Sequence, residues 1–149
     1  MEKDLGNDFK QLAFASYIRE KLNIPEVDIH SYSPLTLAYI GDAIYDLIIR
    51  TIAVENGNAP VNTLHKRVSK LVQASAQADL YFSIKDQLTE EEMSVFRRGR
   101  NAKSVTSAKN ASIGEYRIAT GVEALIGYLY LCDQTDRLLE LLKPIINKW

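Results

Sequence analysis

The sequence is poor in the residues that define several classes of protein. It has one cysteine, Cys132, so it cannot form an internal disulfide, and a disulfide-stapled scaffold is excluded. Its two histidines have no cysteine partner at the spacing of a zinc site. No apolar run reaches the ~20 residues that are needed to cross a bilayer, and the first residues lack the pattern of a signal peptide. We therefore expect a cytoplasmic protein that does not enter a membrane.

Glycine and proline are also scarce, at 7 and 4 of 149 residues, and the prolines are well separated. Hydrophobic residues make up 46% of the chain, which is enough for the core of one domain. Long segments show helical periodicity, whereas period-two alternation is rare, so the predicted fold class is all-α. Helices are predicted over residues 9–22, 34–55, 60–80, 90–99, 115–132 and 134–147, and residues 100–112 are predicted to form a polar, basic loop.

Two of these helices carry recognisable end signals. Ser33 followed by Pro34 is typical of a helix start, because serine caps free amides and proline suits the first helical position. Thr89 with Glu92 three residues later has the pattern of a capping box. Asn56-Gly57-Asn58 is expected to close the helix that Ser33 opens.

Two apolar helices each contain one acid where a core residue is expected. Asp42 follows Gly41 in the second predicted helix, and Glu123 lies between Gly121 and Gly127 in the fifth. A buried carboxylate costs several kcal/mol unless it is paired or bound to a cation. If the two helices cross, the acids meet, and like charges that close need a cation or a shared proton. A hard ion such as Mg²⁺ takes one or two carboxylates and completes its shell with water and phosphate.

The same pattern allows a simpler interpretation. Asp42 and Glu123 could each form a salt bridge with an arginine, such as Arg50 or Arg117. Asp46 lies one helical turn after Asp42, where it is either a supporting acid of the same site or a solvated charge at the helix end.

A basic segment precedes the fifth helix. Residues 97–117 contain six basic residues and one acid, although the whole chain has a net charge of −1. The segment 97–110 has no aromatic residue for stacking on bases, and its mixture of cations, hydroxyls and amides suits phosphate and sugar contacts. A solvated loop balanced by acids elsewhere is the alternative. The candidate RNA-binding residues are Arg97, Arg98, Arg100, Asn101, Lys103, Lys109 and Arg117.

These motifs carry a resemblance to a known family. Residues 39–45, Tyr-Ile-Gly-Asp-Ala-Ile-Tyr, resemble the signature helix of ribonuclease III catalytic domains, and residues 123–127, Glu-Ala-Leu-Ile-Gly, resemble their second metal-binding helix. Together with the basic residues 97–104 and the helix 116–131, they are similar to the Mini-ribonuclease III family, which lacks a double-stranded-RNA-binding domain. The resemblance covers residues 33–142, so we expect a catalytic domain over 31–149 and a helical N-terminal extension over 1–30.

The resemblance implies an all-helical homodimer that cleaves double-stranded RNA with magnesium and matures the large-subunit (23S) ribosomal RNA precursor. Asp42 matches the catalytic aspartate and Glu123 the metal-binding glutamate, so both are expected to hold the metal. Full-length ribonuclease III has two further acids where this chain has Ala38 and Thr120. Because of these two departures, a non-catalytic RNA-binding or ribosome-associated helical protein is the alternative function.

Overall fold

The computed structural model describes residues 13–102 and 112–148, and within these ranges it contains helices and no strand, so the all-α prediction is confirmed. None of the helices in this part of the chain combines the length and apolar character that crossing a bilayer requires. Short 3-10 turns occupy Ile29–Ser31 and Lys85–Gln87. The α-helices are α1 (Phe14–Leu22), α2 (Pro34–Glu55), α3 (Val61–Val72), α4 (Ala74–Ile84), α5 (Glu90–Asn101), α6 (Ile113–Leu131), α7 (Thr135–Leu141) and α8 (Lys143–Ile146).

The helix ends with clear sequence signals form as predicted. The Ser33 hydroxyl accepts a hydrogen bond from the amide of Thr36 at 3.2 Å, and Pro34 occupies the first turn of α2. At α5, the amide of Glu92 donates to the Thr89 hydroxyl at 3.1 Å and the Glu92 carboxylate accepts from the Thr89 amide at 2.9 Å. Capping by short polar side chains therefore fixes where both helices begin.

Helix α6 is the centre of the molecule. It packs against α2 on one side and against α4 and α5 on the others, so it is buried along most of its length. This explains its almost continuous apolar sequence, because a helix covered on several faces has no polar stripe. The largest fully buried side chains are Tyr45, Phe96, Ile49, Leu80, Leu129, Leu141 and Ile145.

The prediction of one helix over 60–80 is wrong, because the structure has α3 and α4 with a break at Gln73. Gln73 adopts an extended backbone conformation, with φ −66° and ψ 153°. The break leaves carbonyl groups free at the end of α3, and two side chains satisfy them. The Tyr45 hydroxyl donates to the Leu71 carbonyl at 2.6 Å, and the Gln77 amide donates to the Val72 carbonyl at 3.2 Å. The corner is thus stabilised by side chains from α2 and α4.

Three other boundaries differ from the predictions. Residues 134–147 form α7 and α8, which are separated at Leu142, with Pro144 in the first turn of α8. Helix α6 begins at Ile113 rather than 115, because Ser112 and Glu115 form a second capping box. Helix α5 continues to Asn101, so Arg100 and Asn101 are helical. Two predictions lie outside the described residues: the loop over residues 103–111 and the helix start at residue 9.

Candidate active site

The site is built where α2 crosses α6 at very short range. A β-carbon added to Gly41 would overlap the backbone carbonyl of Glu123, and one added to Gly127 would overlap the carbonyl of Leu37. Any side chain at either glycine would therefore push the two backbones apart. The glycines beside the two acids thus permit a close approach of the helices, as their sequence positions suggested.

This crossing brings Asp42 and Glu123 together. Asp42 is exposed on α2, while Glu123 is partly buried on α6. The pKa of Glu123 is raised to about 8, mainly by burial and then by a hydrogen bond with Asp42 and the negative charge of Asp42, whereas the Gln77 amide opposes the increase. Glu123 thus keeps its proton up to about pH 8 beside a second carboxylate. This behaviour is typical of two acids that share one proton or one cation.

The donor set fits a hard divalent cation. Both groups are carboxylates, which Mg²⁺ prefers, and Asp42 is open to solvent on the side where water and phosphate could complete the shell. Among the described residues there is no group of three or more histidine, cysteine, aspartate or glutamate side chains that could hold a metal. Asp42 and Glu123 are the two carboxylates that would hold such an ion.

The positions of the two missing family acids are filled without a charge. Ala38 and Thr120 are buried, with exposed fractions of 7% and 8%. The Thr120 hydroxyl donates to the Tyr116 carbonyl of its own helix at 3.0 Å. Neither position supplies a ligand oxygen in this arrangement.

The salt-bridge interpretation of the acids does not match the structure. Arg50 pairs with Asp46 at 2.9 Å, one turn along the same helix. In residues 13–102 and 112–148, no ion pair involves Asp42 or Glu123. Asp46 is therefore paired with an arginine of its own helix and is not a solvated charge at the helix end.

The end of helix α5 packs close to the same crossing. A β-carbon at Gly99 would meet the Gly121 α-carbon at 3.0 Å, so the last turn of α5 lies against the turn of α6 that precedes Glu123. Arg97 and Arg98 are exposed on this last turn, and Arg100 lies 5.8 Å from the centre of the Phe96 ring. Of the other candidates, Asn101 and Arg117 are exposed, and Lys103 and Lys109 lie outside the described residues.

Two residues that affect the pKa of Glu123 or are affected by its charge were not predicted from the sequence. Gln77 is buried, with an exposed fraction of 3%, and its side-chain amide opposes the increase in the pKa of Glu123. Tyr45 is fully buried, and burial, with the charge of Glu123, raises the pKa of its hydroxyl well above the usual range. One feature of the sequence could have indicated Gln77. It is the only amide in the run Ala74-Ser75-Ala76-Gln77-Ala78, and an amide among small residues indicates close packing around it.

Comparisons with known proteins agree with this geometry. The family model described as the Ribonuclease III domain matches residues 35–134. A Mini-ribonuclease 3 of Clostridium tetani is 52% identical over 121 residues, which cover 80% of each chain. A Mini-ribonuclease 3 of Enterococcus faecalis is 47% identical over 123 residues, covering 81% of this chain and 93% of its own. A crystal structure of a protein from Fusobacterium nucleatum superposes with a TM-score of 0.74 at 34% identity, covering 81% of this chain and 97% of the other.

The helical fold, the paired acids and the extent of these matches define the class of this protein as a ribonuclease. The chain belongs to the ribonuclease III family, among the Mini-ribonuclease 3 proteins, and it is an endoribonuclease.

Proposed function

We propose that the chain is a magnesium-dependent endoribonuclease that cleaves double-stranded RNA, with Asp42 and Glu123 as its catalytic and metal-binding residues. The observation that carries this proposal is the meeting of the two acids at the glycine crossing of α2 and α6. A partly buried carboxyl group that lies beside an exposed one, without an arginine partner in the described residues, is costly to fold unless it binds something.

Each acid has a separate part in this proposal. Asp42 is open to solvent and would meet the cation from the RNA side, while Glu123 would hold it from the interior. Because a metal ligand must be deprotonated, Glu123 would hold such an ion as its carboxylate. When bound, magnesium supplies an activated water and neutralises charge that develops on the scissile phosphate.

The RNA would lie along the basic end of α5. Arginine side chains form paired hydrogen bonds with phosphate, and amides such as Asn101 can contact sugars beside them. Recognition by such contacts follows the shape of the A-form duplex rather than its sequence. The proposed RNA-binding residues are Arg97, Arg98, Arg100, Asn101, Lys103, Lys109 and Arg117.

A homodimer is part of the proposal, and a face of α2 supports it. Tyr39, Leu47 and Val54 lie on one side of this helix and are 82%, 53% and 61% exposed. Large apolar side chains in a row on a surface helix mark a contact with another chain. The row runs beside Asp42, so a second copy bound there would place two sites near each other, one for each strand of a duplex.

The finer biological assignments rest on the family resemblance. We propose the large-subunit (23S) ribosomal RNA precursor as substrate and the cytoplasm as location; the single cysteine suits a reducing compartment. We also propose an N-terminal extension over residues 1–30 and a catalytic domain over 31–149, which contains the matched residues 35–134.

The decisive experiment measures cleavage of a duplex RNA with and without Mg²⁺. Asp42→Asn and Glu123→Gln should keep the fold and lose cleavage, because the amides remove the charge that holds the cation. Asp46→Asn is the matched control, since Asp46 pairs with Arg50, and it should keep most of the activity. Near-normal cleavage by a folded Asp42→Asn protein would reject the assignment, and RNA binding without any cleavage by the unaltered protein would favour the non-catalytic alternative.

A further inference from the structure

Helix α1 packs thinly on the rest of the chain. Ala15 is its one buried residue, while Phe14, Tyr17 and Leu22 are 58%, 38% and 67% exposed. The helix also borders two cavities of about 770 and 710 Å³, so much of its surface has no packing partner. A helix of nine residues is too short to persist by itself in water. Apolar burial therefore contributes little to holding α1 in place, and polar contacts must supply much of the rest.

A single carboxylate, that of Asp133, supplies these polar contacts. Ala13 precedes α1 and has no side chain that could cap its first amides. Instead, the Ser16 amide donates to Asp133 Oδ1 at 3.2 Å, across 117 residues of sequence. One turn later, Arg19 Nη2 donates to Asp133 Oδ2 at 3.0 Å. Asp133 therefore both caps the start of α1 and forms an ion pair with the same helix.

The backbone of Asp133 shows that an acid is not the local preference at this position. Asp133 lies two residues after the end of α6 and has a φ of 61°. Its amide donates to the Tyr130 carbonyl at 3.2 Å, and the Gln134 amide donates to the Leu129 carbonyl at 2.9 Å. This is the Schellman arrangement, in which glycine is the usual residue because it adopts a positive φ without strain. The contacts to α1 account for an aspartate where the turn favours glycine.

The carboxylate joins two parts of the chain that the family match separates. Asp133 lies within the matched residues 35–134, and α1 lies before them. The Asp133 and Arg19 side chains are 34% and 22% exposed, so salt can screen their attraction. An element with few buried apolar contacts opens at a lower free-energy cost than the core does.

We propose that Asp133 is a latch that holds α1 on the end of α6, and that α1 opens as a unit while the remaining helices stay folded. Opening removes one wall from each cavity and uncovers Tyr130, which borders both. The N-terminal helix is then a strap whose position depends on ionic strength. This inference is independent of the proposed function, because neither Asp133 nor Arg19 belongs to the candidate active site or to the basic segment.

The test is amide hydrogen exchange of the full chain, read by mass spectrometry in peptides from α1 and α6. In the unaltered protein, α1 should exchange faster than α6, and faster still as NaCl is raised. Asp133→Gly removes both contacts and keeps the left-handed turn without strain. It should raise exchange in α1 about tenfold, the effect of losing a helix cap, and leave exchange in α6 unchanged.

Two further variants isolate the latch. Asn23→Gly is the matched control, because Asn23 also has a positive φ, of 52°, at the other end of α1 and makes no contact with Asp133. It should leave exchange in α1 close to that of the unaltered protein. Arg19→Met keeps the cap and removes the ion pair, so its exchange in α1 should be intermediate and should no longer respond to NaCl.

The same measurements can overturn the proposal. Unchanged exchange of α1 in a folded Asp133→Gly protein would show that Asp133 is not a latch. An equal increase in α1 and α6 would show that α1 does not open as a separate unit. If Asp133→Gly does not fold, Arg19→Met takes its place: loss of the response to NaCl supports the latch, and an unchanged response rejects it.

Discussion

Gly41 packs against the backbone carbonyl of Glu123, without room for a single additional carbon atom. The α2–α6 crossing is therefore a contact between two main chains. The relative positions of Asp42 and Glu123 are set by this backbone contact and not by the packing of flexible side chains. Overpacking such a contact is more costly than overpacking a side chain, because a backbone cannot change rotamer.

Gly41→Ala should accordingly destabilise the protein. Alanine favours a helix by about 1 kcal/mol over glycine, but forcing the helices apart should cost about 3 kcal/mol or more. Urea unfolding measures the difference. Gly114→Ala is the control, because its new carbon would meet only the Ser112 hydroxyl at 3.9 Å, and it should be neutral or slightly stabilising. Equal stabilities of the two variants would contradict the tight crossing.

The stability of the metal-free protein should fall as pH rises between about 5 and 8. The folded chain holds the Glu123 proton up to about pH 8, whereas the unfolded chain releases it near its ordinary pKa of 4.5. Unfolding therefore releases a proton in this window, and higher pH favours the unfolded state by at most about 1.4 kcal/mol per pH unit.

The measurement for this pH dependence is urea unfolding in EDTA at several pH values. Glu123→Gln cannot lose a proton, so its stability should vary less with pH over the same range. An identical pH slope in the two proteins would mean that another group is responsible.

RNA binding should depend strongly on salt through the basic residues. Each lost phosphate contact lowers the slope of log affinity against log salt by about 0.9 or less. In an Asp42→Asn background, Arg100→Ala/Lys103→Ala/Lys109→Ala should weaken binding to every duplex to a similar degree. Lys143→Ala, which removes an exposed cation from α8, should change little. Unchanged affinities and slopes would show that Arg100, Lys103 and Lys109 do not contact the RNA.

The exposed row on α2 should hold two copies together. Leu47→Asp places a charge on this face and should shift the protein toward monomer in sedimentation at micromolar concentration, with its helix content intact. Phe82→Asp, which alters another large side chain that is 57% exposed on α4, is the control and should leave the dimer unchanged. A chain that sediments as an active monomer before any substitution would refute the dimer.

The sequence predicted those features that depend on residues close together in the chain. The caps at Ser33 and Thr89 form as expected, since a short polar side chain and its amide lie within one turn. The meeting of Asp42 and Glu123 could also be anticipated. A charged residue beside a glycine is locally unfavourable in an apolar helix, so it indicates a functional site or a close approach of two backbones.

The corner at Gln73 could not be predicted in this way. Apolar residues keep helical spacing across it, and no glycine or proline marks it. The break is stabilised by Tyr45, which is 26 residues from Leu71 in the chain, and this donor is in reach only after α2 has packed. Gln77 was missed for the same reason, since it donates to the Val72 carbonyl, which is free only because of the corner.

The Tyr45–Leu71 hydrogen bond also ties the corner between α3 and α4 to α2, the helix that carries Asp42. If this corner opens, α3 and α4 lose that tie to α2. Local opening of one corner costs less free energy than global unfolding. Amide hydrogen exchange at the end of α3 should therefore report the opening of the corner before the chain unfolds as a whole.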